Sequence, residues 1–152
     1  QWSPQAIFFP HSSDWNGTHI GVHHLAMDAL RQRPQMNTIL IETEFWGQMP
    51  SPNLMVENTP EELADLLAAL SYHVGELTRN PYHITLPAWM QDNVRLGAEV
   101  VGGQGGDAPD FSFATLYRVN RWANGQASPA WKGGKLLPSG GDSQTTLFSP
   151  TA

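Results

Sequence analysis

The chain alternates short apolar runs with segments in which apolar residues recur every three or four positions. Ala6-Ile7-Phe8-Phe9 is a continuous apolar run with two aromatics, stopped by Pro10, and reads as a buried strand. Ser12, Ser13, Asp14, Asn16 and Gly17 are turn and cap formers. Beyond them Val22, Leu25, Ala26 and Ala29 repeat at helical spacing as far as Leu30, and either Asn16 or Thr18 suits the N-cap. Arg31 to Pro34 is a polar connector, and Thr38 to Trp46 reads as a second strand. Strand, helix and strand of these lengths predict a right-handed β-α-β unit with parallel strands. Ligands of such sheets sit at the carboxyl ends of the strands, so the residues from His11 to His19 and from Glu42 to Trp46 are expected on one rim.

Gly47 to Asn58 shows no period of its own and is expected to be a lid or a surface crossing. Thr59-Pro60-Glu61-Glu62 then carries every signal of a helix start: a threonine cap, a proline at the first helical position and a glutamate that completes a capping box. Leu63, Leu66, Leu67 and Leu70 form its apolar stripe, and His73 is expected to continue it on a polar face. Asn80 to His83 interrupts the helix. A further helix is expected from Leu86-Pro87 through Trp89, Met90, Val94, Leu96 and Val100 to Gly102-Gly103, with Gly97 as its weak point. The glycine-rich stretch 102–109 lacks the Lys-Ser or Lys-Thr of a phosphate loop. Asp110 to Val119 begins with strand alternation. From Gly125 to Ala152 the chain is rich in Ser, Gly, Pro, Thr and Lys, with anchors at Trp131, Leu136 and Phe148, and is expected to wrap as an extended tail. No internal repeat is visible. The expected organisation is one α/β unit over residues 1–124 and a packed tail over 125–152.

Composition narrows the functional classes. The 152 residues suffice for one core; 40% are hydrophobic and only 14% charged, below the usual quarter, which implies that part of the surface is covered. A net charge of −6 with eight Lys and Arg argues against a nucleic-acid partner, because phosphate neutralisation needs a basic face. The chain has no cysteine, so disulfides, thiolate metal sites and a cysteine nucleophile are excluded. No apolar stretch approaches the roughly 20 residues of a membrane span, nor is there a charged-then-apolar leader; a soluble, cytoplasmic protein is expected. A start at Gln1 rather than Met suggests a chain that has been cut or processed.

Chemistry concentrates between His11 and Leu30, which holds four of the six histidines. His19 falls in the first turn of the expected helix, where the helix dipole favours the neutral imidazole that a metal requires. His23 lies one turn on and on the same face, so the two rings can share a cation. Histidines at a helix start also often do no more than bond a nearby carbonyl. Gly21, between them, costs about 1 kcal/mol relative to alanine in a helix, which suggests close approach of another backbone or a ligand. Glu44 and Trp46 at the end of the second strand suit a sugar, the carboxylate for hydroxyls and the indole for a pyranose face; strand-end packing is the plain alternative.

At Asn16-Gly17-Thr18-His19 and the helix that follows, the sequence resembles the second half of the LmbE-like, or PIG-L, family of zinc-dependent N-deacetylases. That family carries His-Pro-Asp-His at this place and removes acetyl groups from N-acetylglucosaminyl compounds. The resemblance spans roughly residues 5–124 and implies a portion of a Rossmann-like three-layer α/β sandwich, with a mostly parallel sheet flanked by helices. It implies zinc as cofactor and His19 as metal ligand. It sets Asn16 in place of the family's first histidine and Thr18 in place of its aspartate, the two positions that assist catalysis. His23, Glu44 and Trp46 are the candidates for substrate contact. The family's first motif, His-Pro-x-Asp-Asp-Glu, which supplies two further ligands and the general base, has no counterpart here. The nearest string is Pro10-His11-Ser12-Ser13-Asp14.

Three hypotheses follow. The chain is part of a zinc-dependent amidohydrolase for an N-acetylated amino sugar; or it is a metal-free carbohydrate-binding or structural remnant; or it is a subunit completed by another polypeptide, such as one carrying the absent half. A hydrolytic zinc site needs about three protein ligands, of which one is matched, so the isolated chain is expected to be inactive.

Overall fold

The computed structural model describes residues 3–149. Along the chain lie β1 (Ala6–Pro10), α1 (Gly17–Arg31), β2 (Thr38–Thr43), β3 (Leu54–Asn58), α2 (Pro60–Ser71), α3 (Val74–Arg79) and α4 (Tyr82–Gly102). They are followed by β4 (Phe113–Ala123), β5 (Gln126–Pro129), β6 (Lys135–Leu137) and α5 (Ser143–Phe148). No helix among the described residues is long and apolar enough to cross a membrane.

The six strands form one sheet in the order β1-β2-β4-β3-β6, with β5 paired to β4. β1 and β2 run parallel, as the β-α-β pattern requires, with Phe8 beside Ile41. β3 and β6 are also parallel, whereas β4 runs antiparallel to β2, β3 and β5. The sheet is therefore mixed, and its parallel character belongs to the two flanks of β4. Ile39, Leu40 and Ile41 of β2 are all buried, because this strand has neighbours on both sides and cover on both faces. On one face Phe9, Leu40 and Trp122 pack with Leu30 of α1, and Met55, Ala114 and Leu116 pack with Val101 of α4. On the other face Ile39, Ile41, Leu54 and Val119 pack with Ala130 and, more peripherally, with Trp131, Leu147 and Phe148.

Several expectations are corrected by this packing. The stretch 47–58 is a loop only as far as Asn53, since 54–58 form β3; Asn53 anchors its start, donating from Nδ2 to the Val119 carbonyl at 2.9 Å. The tail after Gly125 contributes two strands and a short helix, so it belongs to the sheet rather than lying over it as an extended wrap. α2 has its full capping box, Glu62 N–H donating to Thr59 Oγ1 and Thr59 N–H to Glu62 Oε2. It ends at Ser71, and His73 caps α3 instead of continuing α2. α4 begins at Tyr82, not Leu86, and Pro87 sits inside it. Gly97 in α4 has a packing reason: a Cβ there would run into the Met55 methyl and the Leu116 side chain.

The helix α1 holds a larger correction. Of its expected apolar stripe only Ala26 faces the sheet; Ala29 is exposed, and Val22 and Leu25 are 43% and 70% exposed. His19, His23, Ala26, Met27 and Leu30 face inward instead. Gly21 lies on the outward side, with nothing within 4 Å of the place a Cβ would take, so within this chain no neighbour explains it.

Candidate functional site

Two loops leave the carboxyl ends of β1 and β2 and are locked together. His11 is fully buried between them; its Nε2–H donates to the Gly47 carbonyl at 2.8 Å and its Nδ1 accepts from the Ser13 amide at 3.2 Å. Both ring nitrogens are thus spent on the backbone. Gly47 is required by the contact itself, since a Cβ would lie 2.8–2.9 Å from Ser13 O, Asp14 Cα and Trp15 N. Asp14 is the second clamp. Its Oδ1 accepts from the Asn16 amide at 2.7 Å and its Oδ2 from the Trp46 amide at 3.2 Å. Burial alone would raise the Asp14 pKa, but these amides and the adjacent His19 ring outweigh it and hold the carboxyl below its ordinary value.

Asn16 caps α1, accepting the Thr18 amide at 2.9 Å. This settles the choice between the two possible caps and gives Asn16 a structural task. Thr18 is exposed. His19 lies in the first turn of the helix, with Nδ1 3.4 Å from Asp14 Oδ1, and that nitrogen is buried with no hydrogen-bond partner of good geometry. The Phe45 ring stands 4.9 Å from the imidazole. His23 is turned elsewhere: its Nδ1–H donates to the Pro10 carbonyl at 3.0 Å and lies 3.7 Å from Glu42. Glu42 is in turn held by the Arg118 guanidinium and by Asn120. His19 and His23 thus serve different neighbours, and His23 does not line the cleft described next.

That cleft, of about 680 Å³, opens beside His19 at the end of β2. Glu44, Phe45 and Trp46 form one wall, and Thr43, Thr115 and Tyr117 form another, Thr43 and Tyr117 being cross-strand partners. A stripe of α4, Tyr82, Thr85, Leu86 and Trp89, closes it at i, i+3, i+4 and i+7 spacing, with Leu70 of α2 beside it. The Trp46 and Tyr82 ring centroids are 5.8 Å apart. Glu44 is buried and its oxygens are already engaged, Oε1 by the Trp89 indole at 3.0 Å and Oε2 by the Met49 amide at 2.9 Å. This engagement gives Glu44 a structural task, fixing the Trp89 ring in the cleft wall. Burial raises the Tyr117 pKa above its ordinary value, outweighing the opposite effect of the Thr115 side chain.

The expected neighbourhood of His19, Glu44 and Trp46 on one cleft is present. Asp14 belongs to the Pro10-His11-Ser12-Ser13-Asp14 string noted in the sequence, whereas Tyr82, Trp89 and Tyr117 carry no site signal there. Leu86-Pro87 reads as a helix start, which leaves Tyr82 and Thr85 outside the helix and hides the α4 stripe.

The fit of a zinc ion rests on the donors. Among the described residues no group of three His, Asp or Glu converges as a metal-binding set. His11 has no free nitrogen, and both Asp14 oxygens hold amides. What fits is one corner: a histidine with a carboxylate behind its Nδ1, the arrangement by which metal-binding histidines are commonly oriented. No family model, curated protein or solved structure matches the chain.

Proposed function

We propose that this chain is the second part of a zinc-dependent N-deacetylase of the LmbE-like kind, acting on N-acetylated amino sugars. In this reading it contributes one metal ligand, His19, and the cleft that holds the substrate, and a second polypeptide segment brings the remaining ligands and the general base. The observation that carries the reading is the placement of His19: backed by Asp14, in the first turn of α1, on the wall of an aromatic cleft at the carboxyl ends of two parallel strands. The sheet supports incompleteness. Among the described residues β1 is an edge strand with only β2 beside it; strand alternation turns the Ala6 and Phe8 amides outward, and Phe8 is 62% exposed. α1 packs on β1 and leaves Val22 and Leu25 outward.

Within the chain, His19 and Asp14 orient a nitrogen toward the cleft, the aromatic walls exclude water from a bound sugar, and the Tyr117 hydroxyl offers a proton to a carbonyl oxygen. A metal-free carbohydrate-binding protein is the second reading, favoured by the lack of three converging donors among the described residues.

The test is zinc binding and acetate release from N-acetylglucosamine derivatives, measured with and without a polypeptide carrying His-Pro-x-Asp-Asp-Glu. The full chain alone should hold zinc weakly and release no acetate, and the complemented protein should do both, with chelator abolishing release. His19→Ala should remove zinc from the complemented protein, with a stability change within about 1 kcal/mol. Undiminished zinc in that variant would refute the assignment. Chelator-sensitive release by the chain alone would mean that the site is built from its own residues in some other way.

A further inference from the structure

We propose that the cleft takes an uncharged ligand with a flat apolar face, such as an alkyl or aryl glycoside, and rejects phosphorylated sugars. This rests on the amino-sugar reading above and adds to it what the sugar is attached to.

The walls offer Phe45, Trp46, Tyr82, Trp89 and Tyr117, enough ring surface to cover more than one sugar face. Phe45 and Trp46 are more than half exposed in the free chain, so a ligand that covers them gains apolar burial. Trp89 is pinned by the Glu44 carboxylate and needs no reordering on binding, which favours affinity.

The charges point the same way. Among the described residues no Lys or Arg lines the cleft, and Glu44 is its carboxylate. Two guanidinium groups of this region are engaged elsewhere: Arg118 by Glu42, and Arg95, in a smaller depression that shares Trp46 and Trp89, by Asp92 at 2.7 Å. In the metal-free chain a phosphate would be desolvated beside a buried carboxylate with no Lys or Arg of the cleft wall to meet it. The overall charge of −6 adds a repulsive field.

The experiment is calorimetric titration of the full chain with four probes: N-acetylglucosamine, its octyl β-glycoside, octyl β-glucoside and N-acetylglucosamine 1-phosphate, with the octyl compounds below their micelle concentrations. The octyl N-acetylglucosaminide should bind at least about tenfold tighter than the free sugar, and the phosphate about tenfold weaker or not at all, each tenfold being one step of about 1.4 kcal/mol. Trp46→Ala and Phe45→Ala, both at exposed positions that leave the core intact, should each remove most of the octyl advantage. Equal binding of octyl glucoside and octyl N-acetylglucosaminide would leave the apolar cleft standing and overturn the N-acetyl-sugar reading. Tighter binding of the phosphate would overturn the inference while leaving the deacetylase reading in place. An octyl advantage untouched by both aromatic variants, or no binding of any probe, would overturn the inference as well.

Discussion

Asp14 joins three separate pieces of the site: the Asn16 amide at the start of α1, the Trp46 amide beyond β2, and the His19 ring. Such a carboxylate stabilises the fold only while ionised. Its folded pKa lies below the ordinary value of about 3.9, so its contribution is complete above that pH and is lost as the pH falls through the lower folded value. Urea midpoints measured from pH 6 to pH 2 should therefore fall at the acid end, and Asp14→Asn should flatten that part of the curve. At pH 7 the same variant should cost about 1–3 kcal/mol, because an amide cannot satisfy both backbone donors as a carboxylate does. An unchanged acid limb would show that Asp14 is not a stabilising clamp. A second consequence concerns histidine chemistry. Four histidines lie close in sequence, yet hydrogen bonding divides them. His11 is buried as a loop staple, His23 bonds the Pro10 carbonyl, His24 is exposed, and His19 borders the cleft.

At the level of elements, two glycines that look alike in sequence have opposite consequences. Gly47 brings the two rim loops into backbone contact, so Gly47→Ala should force them apart and lower stability by about 1–3 kcal/mol, the usual range for overpacking. It should also displace Trp46 and weaken ligand binding. Gly21 has open space around it, so Gly21→Ala should raise the stability of the chain alone by about 0.5–1 kcal/mol through helix propensity. Thermal or urea unfolding of the two variants reads this directly. A stabilised Gly47→Ala would mean that the rim loops are not packed against each other. The helix starts show how much local sequence can say. Thr59, Pro60 and Glu62 specify the start of α2 by themselves, because the cap and its partner lie within four residues. The start of α4 carries no side-chain cap, and its first turn is held by the chain around it.

For the molecule as a whole, β1 is an open edge among the described residues and α1, which packs on β1 on the face opposite Phe8, leaves Val22 and Leu25 outward; the proposed second segment would add a strand to the first and cover the second. Phe8→Lys combined with Leu25→Lys should then leave the isolated chain within about 0.5–1 kcal/mol of its parent stability, since both side chains are mostly exposed. It should abolish association with the complementing polypeptide, followed by calorimetry or sedimentation. Full association of the double variant would place the partner on another face. The opposite edge of the sheet is the three-residue β6, and the segment around it covers one sheet face through Trp131, Leu147 and Phe148.

The sequence by itself determined the β-α-β unit, the cap of α2, an interruption at Asn80-Pro81, and the meeting of His19, Glu44 and Trp46 on one rim. These depend on short-range signals: apolar runs, capping residues within a turn, and the near-invariant hand of a parallel crossover. Tertiary structure decided the rest. Whether Val22 and Leu25 or His19 and His23 faced the sheet was not a matter of helix period, because both stripes have it; the outcome was set by the polar partners waiting at Pro10, Asp14 and Glu42, and by the lack of a neighbour beyond β1. β3 was invisible because five residues after a proline-rich loop carry little pattern, and its pairing with β4 closes a gap of more than fifty positions. The cleft likewise draws its walls from β2, β4, α2 and α4. No local pattern records that meeting, since it is made by packing contacts between segments far apart in the chain.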